Sequence, residues 1–550
     1  MAKNSKKFLW FAIGLIMLAG LIAYINVLRG EFLLDDEYII QRNLFIRQPN
    51  QLLKIFSSSI LHGSDRPSSF YRPLQIISYA MDYAFWKFNV VGYHLTNIIL
   101  HIAAALAMFW FLNIILRSAF ISFAASLIFV VHPAHTEAVS YISGRADPLA
   151  TVFIFLTLIF YLKILKKYSH GFFVLMLASY VLALLSRESV LILPLLIIVY
   201  HFTFVRKLRL LPFVATVVLA GLYACLRLTL LRSLLDPAAS TSLLSQRLPG
   251  FFKALVTYLR ILVWPFGLHM EYGTKVFLFS HPQAIIGALI FLFLVSWAIV
   301  QRKRQQIFSF SVLWFFAALL PFSNLYPLNA YMAEHWLYLP SLGFFLLLGA
   351  GLNALYEKEA TKKISFVLTA ALAVFFLILT NRQNAYWSDP VSFYKQTLQF
   401  APDSSASYCN LGRIYEKSGR RQEAIEAFKK AIEAEPSRSN AYSNLAVIYS
   451  EMGRKQEAVE LFKKAATLAP RDAMLWNNLG AAYSEVGNLD EAVTCLEKAI
   501  ELNPHVVGSY YNLALIYKRL GRNREAEELL QQIKEINPDF RAERVLGRAP

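Results

Sequence analysis

Long apolar runs separated by short polar connections occupy roughly the first 380 residues of the chain. Eleven of them come near the length of about 20 residues that a helix needs to cross roughly 30 Å of hydrocarbon. They lie near residues 8–28, 94–116, 118–132, 148–163, 171–186, 188–205, 211–231, 284–301, 307–325, 337–355 and 364–381. The pattern predicts an all-α, polytopic membrane domain over residues 1–382, with about eleven spans.

Basic residues are concentrated in alternate connections between these runs. The net charge is +18, and residues 383–550 hold 22 basic and 22 acidic side chains, so the whole excess belongs to the membrane half. Since basic connections stay in the cytosol, the N-terminus and every second connection are predicted to lie inside. The inside connections contain Arg117, Lys163, Lys166, Lys167, Arg206, Lys207, Arg209, Arg302, Lys303, Arg304, Lys358, Lys362 and Lys363. This distribution indicates membrane topology and argues against nucleic acid as a partner.

The C-terminal part, residues 383–550, repeats a pattern of small, aromatic and proline positions every 34 residues. The first copy contains Tyr408, Leu411, Gly412, Tyr415, Gly419, Ala424, Phe428, Ala431 and Pro436, and the last copy ends at Pro538. This period predicts a tetratricopeptide-repeat α-solenoid with four full repeats from about residue 405 and a partial one at 389–402. With an odd number of spans before it, the solenoid is predicted to lie outside.

One asparagine recurs in each repeat, and two roles are open for it. It is either a groove residue that holds the backbone of an extended protein acceptor or a residue that stabilises the repeat itself. The four positions are Asn410, Asn444, Asn478 and Asn512.

The outer connections collect ionisable residues at the ends of the predicted spans. Such groups are costly next to lipid unless they face a polar cavity, so together they predict a functional site, although each alone could be a cap or a structural ion pair. Segments 49–62, 73–88 and 251–269 are predicted to lie along the same interface without crossing it. The candidate residues are Asp35, Asp36, Glu37, Arg66, Tyr71, Arg72, His132, His135, Glu137, Arg145, Asp147, Arg187, Glu188, Glu334 and His335.

The arginines and histidines of this set suit an anion, because a guanidinium fork matches a phosphate with two hydrogen bonds. A phosphate at a membrane surface indicates a lipid-linked donor, and a nearby carboxylate could accept the proton of an attacking hydroxyl. His132, His135 and Glu137 could also be metal ligands. That alternative is disfavoured because HxxH is a short pattern and no fourth ligand is obvious, so no cofactor is expected.

Several motifs resemble one known family. The segments "DDEYII", "YRPLQIISYAMDY", "HPAHTEAVSYISGRAD", "SRES" and "AEHWLYLPSLGF", followed by the repeats, are similar to the transmembrane and tetratricopeptide-repeat O-mannosyltransferases over nearly the whole chain. The resemblance implies the membrane-embedded C-type glycosyltransferase fold and transfer of mannose from dolichyl-phosphate mannose to protein Ser or Thr. The family motif "AER" is expected where this chain has His335.

The resemblance also implies an acidic catalytic motif in the first outer connection. Asp35-Asp36 matches it, while the Asp-Glu of related enzymes would match Asp36-Glu37, so either aspartate could be the base and Asp36 is preferred. The donor head group is expected to contact Arg72, His132, His135, Arg145, Arg187 and His335, with Glu37, Glu137, Asp147, Glu188 and Glu334 supporting them.

The sequence as a whole predicts a membrane glycosyltransferase. It would move mannose or a similar hexose, with inversion, from a polyprenyl-phosphate carrier to a hydroxyl of a protein or peptide held by the repeats. The alternatives are an enzyme acting on a lipid or glycan and a non-catalytic membrane scaffold. Because the chain contains no N-x-S/T sequon, a prokaryotic inner membrane with the repeats in the periplasm is preferred over an endoplasmic reticulum membrane with lumenal repeats.

Overall fold

A computed structural model describes residues 2–64, 68, 70–204, 207–229, 243–273, 276–328 and 330–536 of the chain. Arg66, Arg206 and Pro538 lie outside the described residues. The chain divides into two compact units, Met1–Phe393 and Tyr394–Pro550, so the division falls after Phe393 where the sequence placed it after residue 382.

The first unit is built from α-helices and short 3-10 or π turns, and no strand occurs among the residues described above. Its helices are α1 Ala2–Tyr24, α2 Pro73–Trp86, α3 Val90–Leu116, α4 Ala119–Val131, α5 Thr136–Val139, α6 Ala146–Lys166, α7 His170–Ser186, α8 Leu193–Phe204, α9 Leu210–Leu228, α10 Leu244–Val263, α11 Pro282–Gln301, α12 Gln306–Leu319, α13 Ser341–Tyr356 and α14 Lys362–Ser388. The predicted all-α fold is confirmed.

Each of the eleven predicted spans coincides with an apolar helix, but not all of these helices are long. Six have the length and hydropathy to cross a membrane, and a seventh is obtained if α4 and the bent segment after it form one span. The others are shorter and cover His170–Ser186, Glu188–Phe204, Gln306–Phe322 and Ser341–Tyr356. The unit is therefore a multi-pass membrane domain by the length and composition of its helices, while the count of eleven is not confirmed.

The break after α4 shapes the connection between α4 and α6. Pro133 opens a 3-10 turn immediately after His132, and the chain bends by 58° between α4 and the segment Pro133–Val139. Position 144, just before α6, requires glycine because a Cβ at Gly144 would lie 2.5 Å from the Glu137 carbonyl oxygen. The segment between α5 and α6 is therefore irregular yet buried, which is tolerated at membrane depth only when protein groups satisfy its backbone.

Side chains from α2 and α3 satisfy that backbone. The Asn97 side-chain amide donates to the carbonyls of Val139, Tyr141 and Ile142 at 3.1–3.2 Å. Gln75 Nε2 donates to the Ser143 carbonyl and the Tyr79 hydroxyl donates to the Ile142 carbonyl, both at 2.9 Å. The irregular segment 139–143 is thus held by three buried polar side chains, none of which the sequence had singled out.

The second unit contains the repeats. Helix α15, Pro390–Phe400, runs across the boundary between the units, and four helix pairs follow it. They are α16 Ser405–Lys417 with α17 Arg421–Ala434, α18 Ser439–Glu451 with α19 Lys455–Leu468, α20 Ala473–Glu485 with α21 Leu489–Leu502, and α22 Val507–Arg519 with α23 Asn523–Ile536. A glycine with positive φ turns the chain within each pair, with values of 72–89° at Gly419, Gly453, Gly487 and Gly521. The predicted solenoid is confirmed.

Three of the four repeats share one surface arrangement beside that glycine. An arginine pairs with a glutamate three residues later and stacks on a tyrosine ring at 3.9–4.4 Å. The trios are Arg420–Glu423–Tyr415, Arg454–Glu457–Tyr449 and Arg522–Glu525–Tyr517. The third repeat keeps Tyr483 and Glu491 but has Asn488 at the arginine position.

We expect Asn488→Arg to stabilise the third repeat, because the new guanidinium would reach both Glu491 and Tyr483. Site-resolved thiol labelling in mild denaturant measures the effect, since Cys495 is buried in α21 and Cys409 is buried in α16. Cys495 should react roughly 2–5-fold more slowly, while Cys409 in the first repeat keeps its rate. An unchanged rate at Cys495 would show that the arrangement adds nothing to local stability.

Candidate functional site

A strained turn carries the acidic residues of the first outer connection. Leu34 has φ of 52°, a left-handed conformation that is unfavourable for a residue with a branched side chain. The Asp36 carboxylate, buried under this turn, accepts hydrogen bonds from the backbone N–H of Leu33 and of Ser143 at 2.9 Å, and from the Ser143 hydroxyl. Burial raises the pKa of Asp36 to about 7, and these three donors oppose the rise.

The two neighbouring acids are placed differently. Asp35 is exposed, and its backbone N–H donates to the Tyr141 hydroxyl at 3.1 Å. Glu37 is half-buried and forms an ion pair with Arg42. Because Asp36 is committed to internal donors, Asp35 is the carboxylate that an approaching acceptor can reach. This geometry favours Asp35 over the preferred Asp36 for the role of base.

Arg145 is completely buried beside this turn, with all three guanidinium nitrogens engaged. Nε donates to Asn97 at 2.6 Å, Nη1 to the Ser78 hydroxyl at 3.1 Å, and Nη2 to the Tyr93 carbonyl at 2.9 Å. Nη2 also lies 2.5 Å from the Asp82 carboxylate. A donor phosphate cannot reach a side chain that is completely enclosed by protein groups, so we leave Arg145 out of the proposed donor site and assign it an anchoring role.

Arg145→Gln should destabilise the membrane unit strongly, because Asp82 would keep a buried charge without a cation. Removing one member of a buried pair typically costs about 3–5 kcal/mol. The double variant Arg145→Gln/Asp82→Asn should recover part of this loss, since no lone charge remains. The fraction of monodisperse protein left after heating in detergent measures the effect, with Arg42→Gln as the control because its side chain is 60% exposed. Wild-type resistance of Arg145→Gln would contradict the anchoring role.

A group of ion pairs lies at the outer ends of α6 and α7. Arg187 pairs with Asp147, and Arg72 forms a two-pronged pair with Glu188 at 2.9 and 3.2 Å. A small cavity of about 10 Å³, roughly the space of one water molecule, is lined by the Arg187–Asp147 pair and by apolar side chains that include Trp336. We call Arg72, Arg187, Asp147 and Glu188 the arginine cluster. It unites four of the residues that the sequence predicted, on a cavity that is partly apolar.

Residues from the last outer connection extend this cluster. Glu137 accepts hydrogen bonds from the backbone N–H of His335 at 2.9 Å and from its Nδ1 at 2.6 Å. Electrostatic interactions link both Glu137 and His335 to Asp147. His335, which stands where the family motif has arginine, therefore lies at the edge of the arginine cluster and is paired with a carboxylate.

Glu334 points the other way and is buried among residues of the 264–273 connection. One oxygen, Oε1, accepts from the His269 N–H at 2.7 Å and from the Tyr272 hydroxyl at 2.5 Å. Burial and the Glu137 charge raise the pKa of Glu334 to about 8. With a pKa of about 8, Glu334 is predominantly a neutral acid at pH 7.

This protonation predicts a pH-dependent effect of Glu334→Gln. The folded protein keeps the Glu334 proton up to about pH 8, whereas an unfolded chain releases it near 4.5, so wild-type stability falls as pH rises through this window. The amide of the variant does not titrate, so the variant does not lose stability in this way. Its stability relative to wild type should therefore rise by up to about 1.4 kcal/mol for each unit of increasing pH. Thermal unfolding in detergent at several pH values between 5 and 8 measures it.

Glu137→Gln is the matched comparison, because it takes away the carboxylate that His335 contacts twice. It should lower stability throughout the same pH range. A Glu334→Gln variant whose relative stability does not change with pH would contradict the protonated state of Glu334.

His132 and His135 lie inside the helix packing, away from these ion pairs. His132 Nε2 contacts the Leu262 carbonyl at 3.2 Å, and its Nδ1 accepts from the Ala134 N–H. His135 packs against the rings of His101 and Tyr338, and neither of its nitrogens has a hydrogen-bond partner among the described residues. Among the described residues, no three His, Cys, Asp or Glu side chains are grouped so as to hold a metal ion. Among the described residues, neither histidine side chain forms a hydrogen bond with the arginine cluster.

One short segment joins the acidic turn to the arginine cluster. Ser143 binds Asp36, and Asp147, four residues later, pairs with Arg187. Because this stretch is a 3-10 turn leading into α6, its two ends are roughly 6–8 Å apart. The turn that carries Asp35 and the Asp147–Arg187 pair are therefore held by the same short segment.

Sequence reasoning missed the side chains that hold this segment. Gln75, Ser78, Tyr79 and Asp82 have the i, i+3, i+4, i+7 spacing of one helix face, and Asn97 lies on α3. A polar face of this kind, opposite the apolar face of an interfacial helix, is the signal that could have revealed them.

In the solenoid, two of the repeated asparagines contact the preceding repeat. Asn444 Nδ2 lies 3.4 Å from Cys409 Sγ, and Asn512 Nδ2 donates to Asn477 at 3.0 Å. Asn478 accepts from Asn477 at 3.2 Å. These contacts favour the repeat-stabilising role for the asparagines, while all four side chains stay partly exposed.

The fold and site define a multi-pass membrane protein that carries a tetratricopeptide-repeat solenoid. A family model described as the cilia and flagella-associated protein 70 C-terminal domain matches residues 385–537. A protein O-mannosyl-transferase of Caenorhabditis elegans is 29% identical over 425 residues, which cover 74% of this chain and 60% of that protein. Human protein O-mannosyl-transferase TMTC2 is 25% identical over 509 residues, which cover 74% of this chain and 60% of that protein.

Among solved structures, the crystal structure of MamA is 26% identical with a TM-score of 0.26, covering 27% of this chain and 86% of MamA. The resemblance to the transmembrane and tetratricopeptide-repeat O-mannosyltransferases is confirmed by the curated relatives. The chain spans about 60% of the length of the relatives it matches.

Proposed function

We propose that the protein is an inverting glycosyltransferase that moves mannose or a similar hexose from a polyprenyl phosphate to a hydroxyl of a protein. The names of the curated relatives support transfer to protein. The observation that carries the proposal is the short segment Ser143–Asp147, which joins an exposed carboxylate to a pair of arginines beside a partly apolar cavity. A lipid-linked sugar phosphate needs these three features together.

In the proposed reaction, the donor phosphate lies against Arg187 and Arg72. Each guanidinium is already oriented by a carboxylate, Asp147 or Glu188, so little conformational freedom is lost when the phosphate binds. The apolar side chains beside the Arg187–Asp147 pair suit contact with the first carbons of the polyprenyl chain. His335, held by Glu137, adds a hydrogen-bond donor at the edge of the same cluster.

Asp35 acts as the general base. An acceptor hydroxyl approaches the anomeric carbon from the side opposite the phosphate, and Asp35 takes its proton as the new bond forms. Asp36 holds the turn that presents Asp35, because its carboxylate ties Leu33 to Ser143. The phosphate leaves with the bonding electron pair, so the reaction inverts the anomeric centre and does not depend on a divalent metal.

The solenoid presents the acceptor in this proposal. The partly exposed asparagines of its helices can contact the backbone of an extended segment while also linking the repeats. The distribution of basic connections supports an outer working face. The lack of an N-x-S/T sequon supports repeats in the periplasm of a bacterial inner membrane over lumenal repeats.

We expect Asp35→Asn to lower transfer from polyprenyl-phosphate mannose to a peptide by about 10²–10⁴-fold, since a positioned base contributes that much. Donor binding and thermal stability should stay near wild type, because Asp35 is exposed. Glu37→Gln is the control and should keep most activity. Asp36→Asn should instead lower stability, because an amide nitrogen cannot accept the hydrogen bonds that the carboxylate accepts.

The outcomes separate the alternatives. Near-wild-type transfer by Asp35→Asn, with complete loss in a stable Asp36→Asn protein, would move the base to Asp36. Sugar transfer to a lipid or glycan but not to peptide would replace the protein acceptor. A wild-type protein that neither binds nor turns over any labelled polyprenyl-phosphate sugar would be a scaffold.

A further inference from the structure

Tyr141 is a buried residue of the connection between α5 and α6, and its hydroxyl reaches the turn that carries Asp35. The hydroxyl accepts a hydrogen bond from the Asp35 backbone N–H at 3.1 Å. Interactions also link it to the Ser143 side chain and to the charge of Asp36. The candidate residues predicted from the sequence do not include Tyr141, although it lies against the turn of the proposed base.

The geometry of that turn explains why the Asp35 N–H needs a partner. Residues 33–36 form a β-turn, which the Asp36 N–H closes by donating to the Leu33 carbonyl at 2.9 Å. Asp35 is the third residue of the turn, and the N–H of a third residue takes no part in the closing bond. The Asp35 carbonyl accepts from two N–H groups of the π turn that follows, at 2.8 and 2.9 Å. With the Tyr141 hydroxyl as partner of the N–H, the peptide groups on both sides of the Asp35 Cα are held.

The ring and the backbone of Tyr141 are themselves fixed by other helices. The buried Trp387 of α14 stacks on the ring, with 5.7 Å between the ring centroids and 23° between the planes. The Asn97 side-chain amide donates to the Tyr141 carbonyl, and the hydroxyl of the preceding Ser140 donates to Asn384 of α14 at 2.7 Å. A hydroxyl on a ring that is held in this way gives the Asp35 N–H a fixed acceptor.

We propose that Tyr141 is a positioning residue for the base, whose hydroxyl holds the Asp35 backbone so that the carboxylate meets the acceptor hydroxyl. This deepens the proposed function and rests on it, with Asp35 as the base. In the transfer step the acceptor oxygen bonds to the anomeric carbon, its proton goes to the Asp35 carboxylate, and the bond to phosphate breaks with its electron pair left on the phosphate. Tyr141 exchanges no proton in this step.

This role affects the rate of transfer and not the binding of the donor. The left-handed conformation of Leu34 is unfavourable, so the turn can relax when one of its contacts with the rest of the protein is lost. A misplacement of about 1 Å at a reacting group can lower the rate about 100-fold. The donor, in contrast, is bound by the arginine cluster at the other end of the 143–147 segment. Loss of the hydroxyl should therefore lower kcat and leave the KM for the donor near its wild-type value.

The test measures kcat and donor KM for transfer from polyprenyl-phosphate mannose to a peptide, with full-length variants in detergent. Tyr141→Phe keeps the ring on Trp387 and removes the hydroxyl, so kcat should fall roughly 10–100-fold while the donor KM changes less than threefold. Tyr93→Phe is the matched control, because its buried hydroxyl also makes one hydrogen bond to a backbone group, the Lys87 carbonyl at 2.7 Å. It should keep a near-wild-type kcat.

The double variant Asp35→Asn/Tyr141→Phe separates positioning from a general structural effect. A residue that acts only through Asp35 has nothing to position once the base is gone, so the double variant should have the same kcat as Asp35→Asn alone. The loss of thermal stability caused by Tyr141→Phe should persist in both backgrounds, because the same backbone N–H loses its partner in each.

Two results would overturn the positioning role while leaving the proposed function intact, as long as wild type transfers sugar. They are a wild-type kcat in Tyr141→Phe and a loss of kcat that adds fully to that of Asp35→Asn. If Tyr141→Phe does not fold, Trp387→Leu replaces it, because it keeps the hydroxyl and removes the ring that holds it. Trp387→Leu should lower kcat by a smaller factor at constant donor KM, and an unchanged kcat would contradict the proposal. Near-wild-type transfer by Asp35→Asn would overturn the assignment of the base and the positioning role with it.

Discussion

The connection between α4 and α6 depends on the buried guanidinium of Arg145. It lies inside the protein because Asp82 balances its charge and because Asn97, Ser78 and the Tyr93 carbonyl accept its hydrogen bonds. Asn97 uses its amide nitrogen in turn to hold the irregular backbone after α5. A buried charge with every partner in place rigidifies its surroundings, and a partly satisfied one would be strongly destabilising. The segment between α5 and α6 that carries the site is therefore held in place by side chains of α2 and α3.

Rigidity of this segment has a chemical consequence. Ser143 fixes the Asp36 turn from one end of the segment, and Asp147 orients Arg187 from the other. A base and a phosphate-binding group must keep their separation within a fraction of an ångström for the reacting atoms to meet. Side chains carried on a short, internally bonded segment meet this demand better than side chains on independent loops. The strained Leu34 conformation is maintained by the same contacts.

Particular residues show how far the sequence could predict this arrangement. The apolar runs and the 34-residue period were sufficient for the helices and the solenoid, because both signals come from local burial. The motif with His132, Arg145 and Asp147 lies in one connection between helices, as predicted, yet its members have different surroundings. Arg145 and His132 are enclosed, whereas Asp147 lines the cavity. Residue type and spacing cannot distinguish these cases, since burial depends on what packs from distant helices.

The sequence by itself determined the membrane class of the first unit, the repeat class of the second and the list of ionisable candidates. Those properties follow from periodicity and composition, which are local. The tertiary structure alone decided which carboxylate faces outward, which arginine is an anchor, and that the Tyr141 hydroxyl contacts the Asp35 backbone. Each of these depends on contacts between residues tens to hundreds of positions apart, and the energy of a charge depends on its partners and its burial more than on its place in the chain.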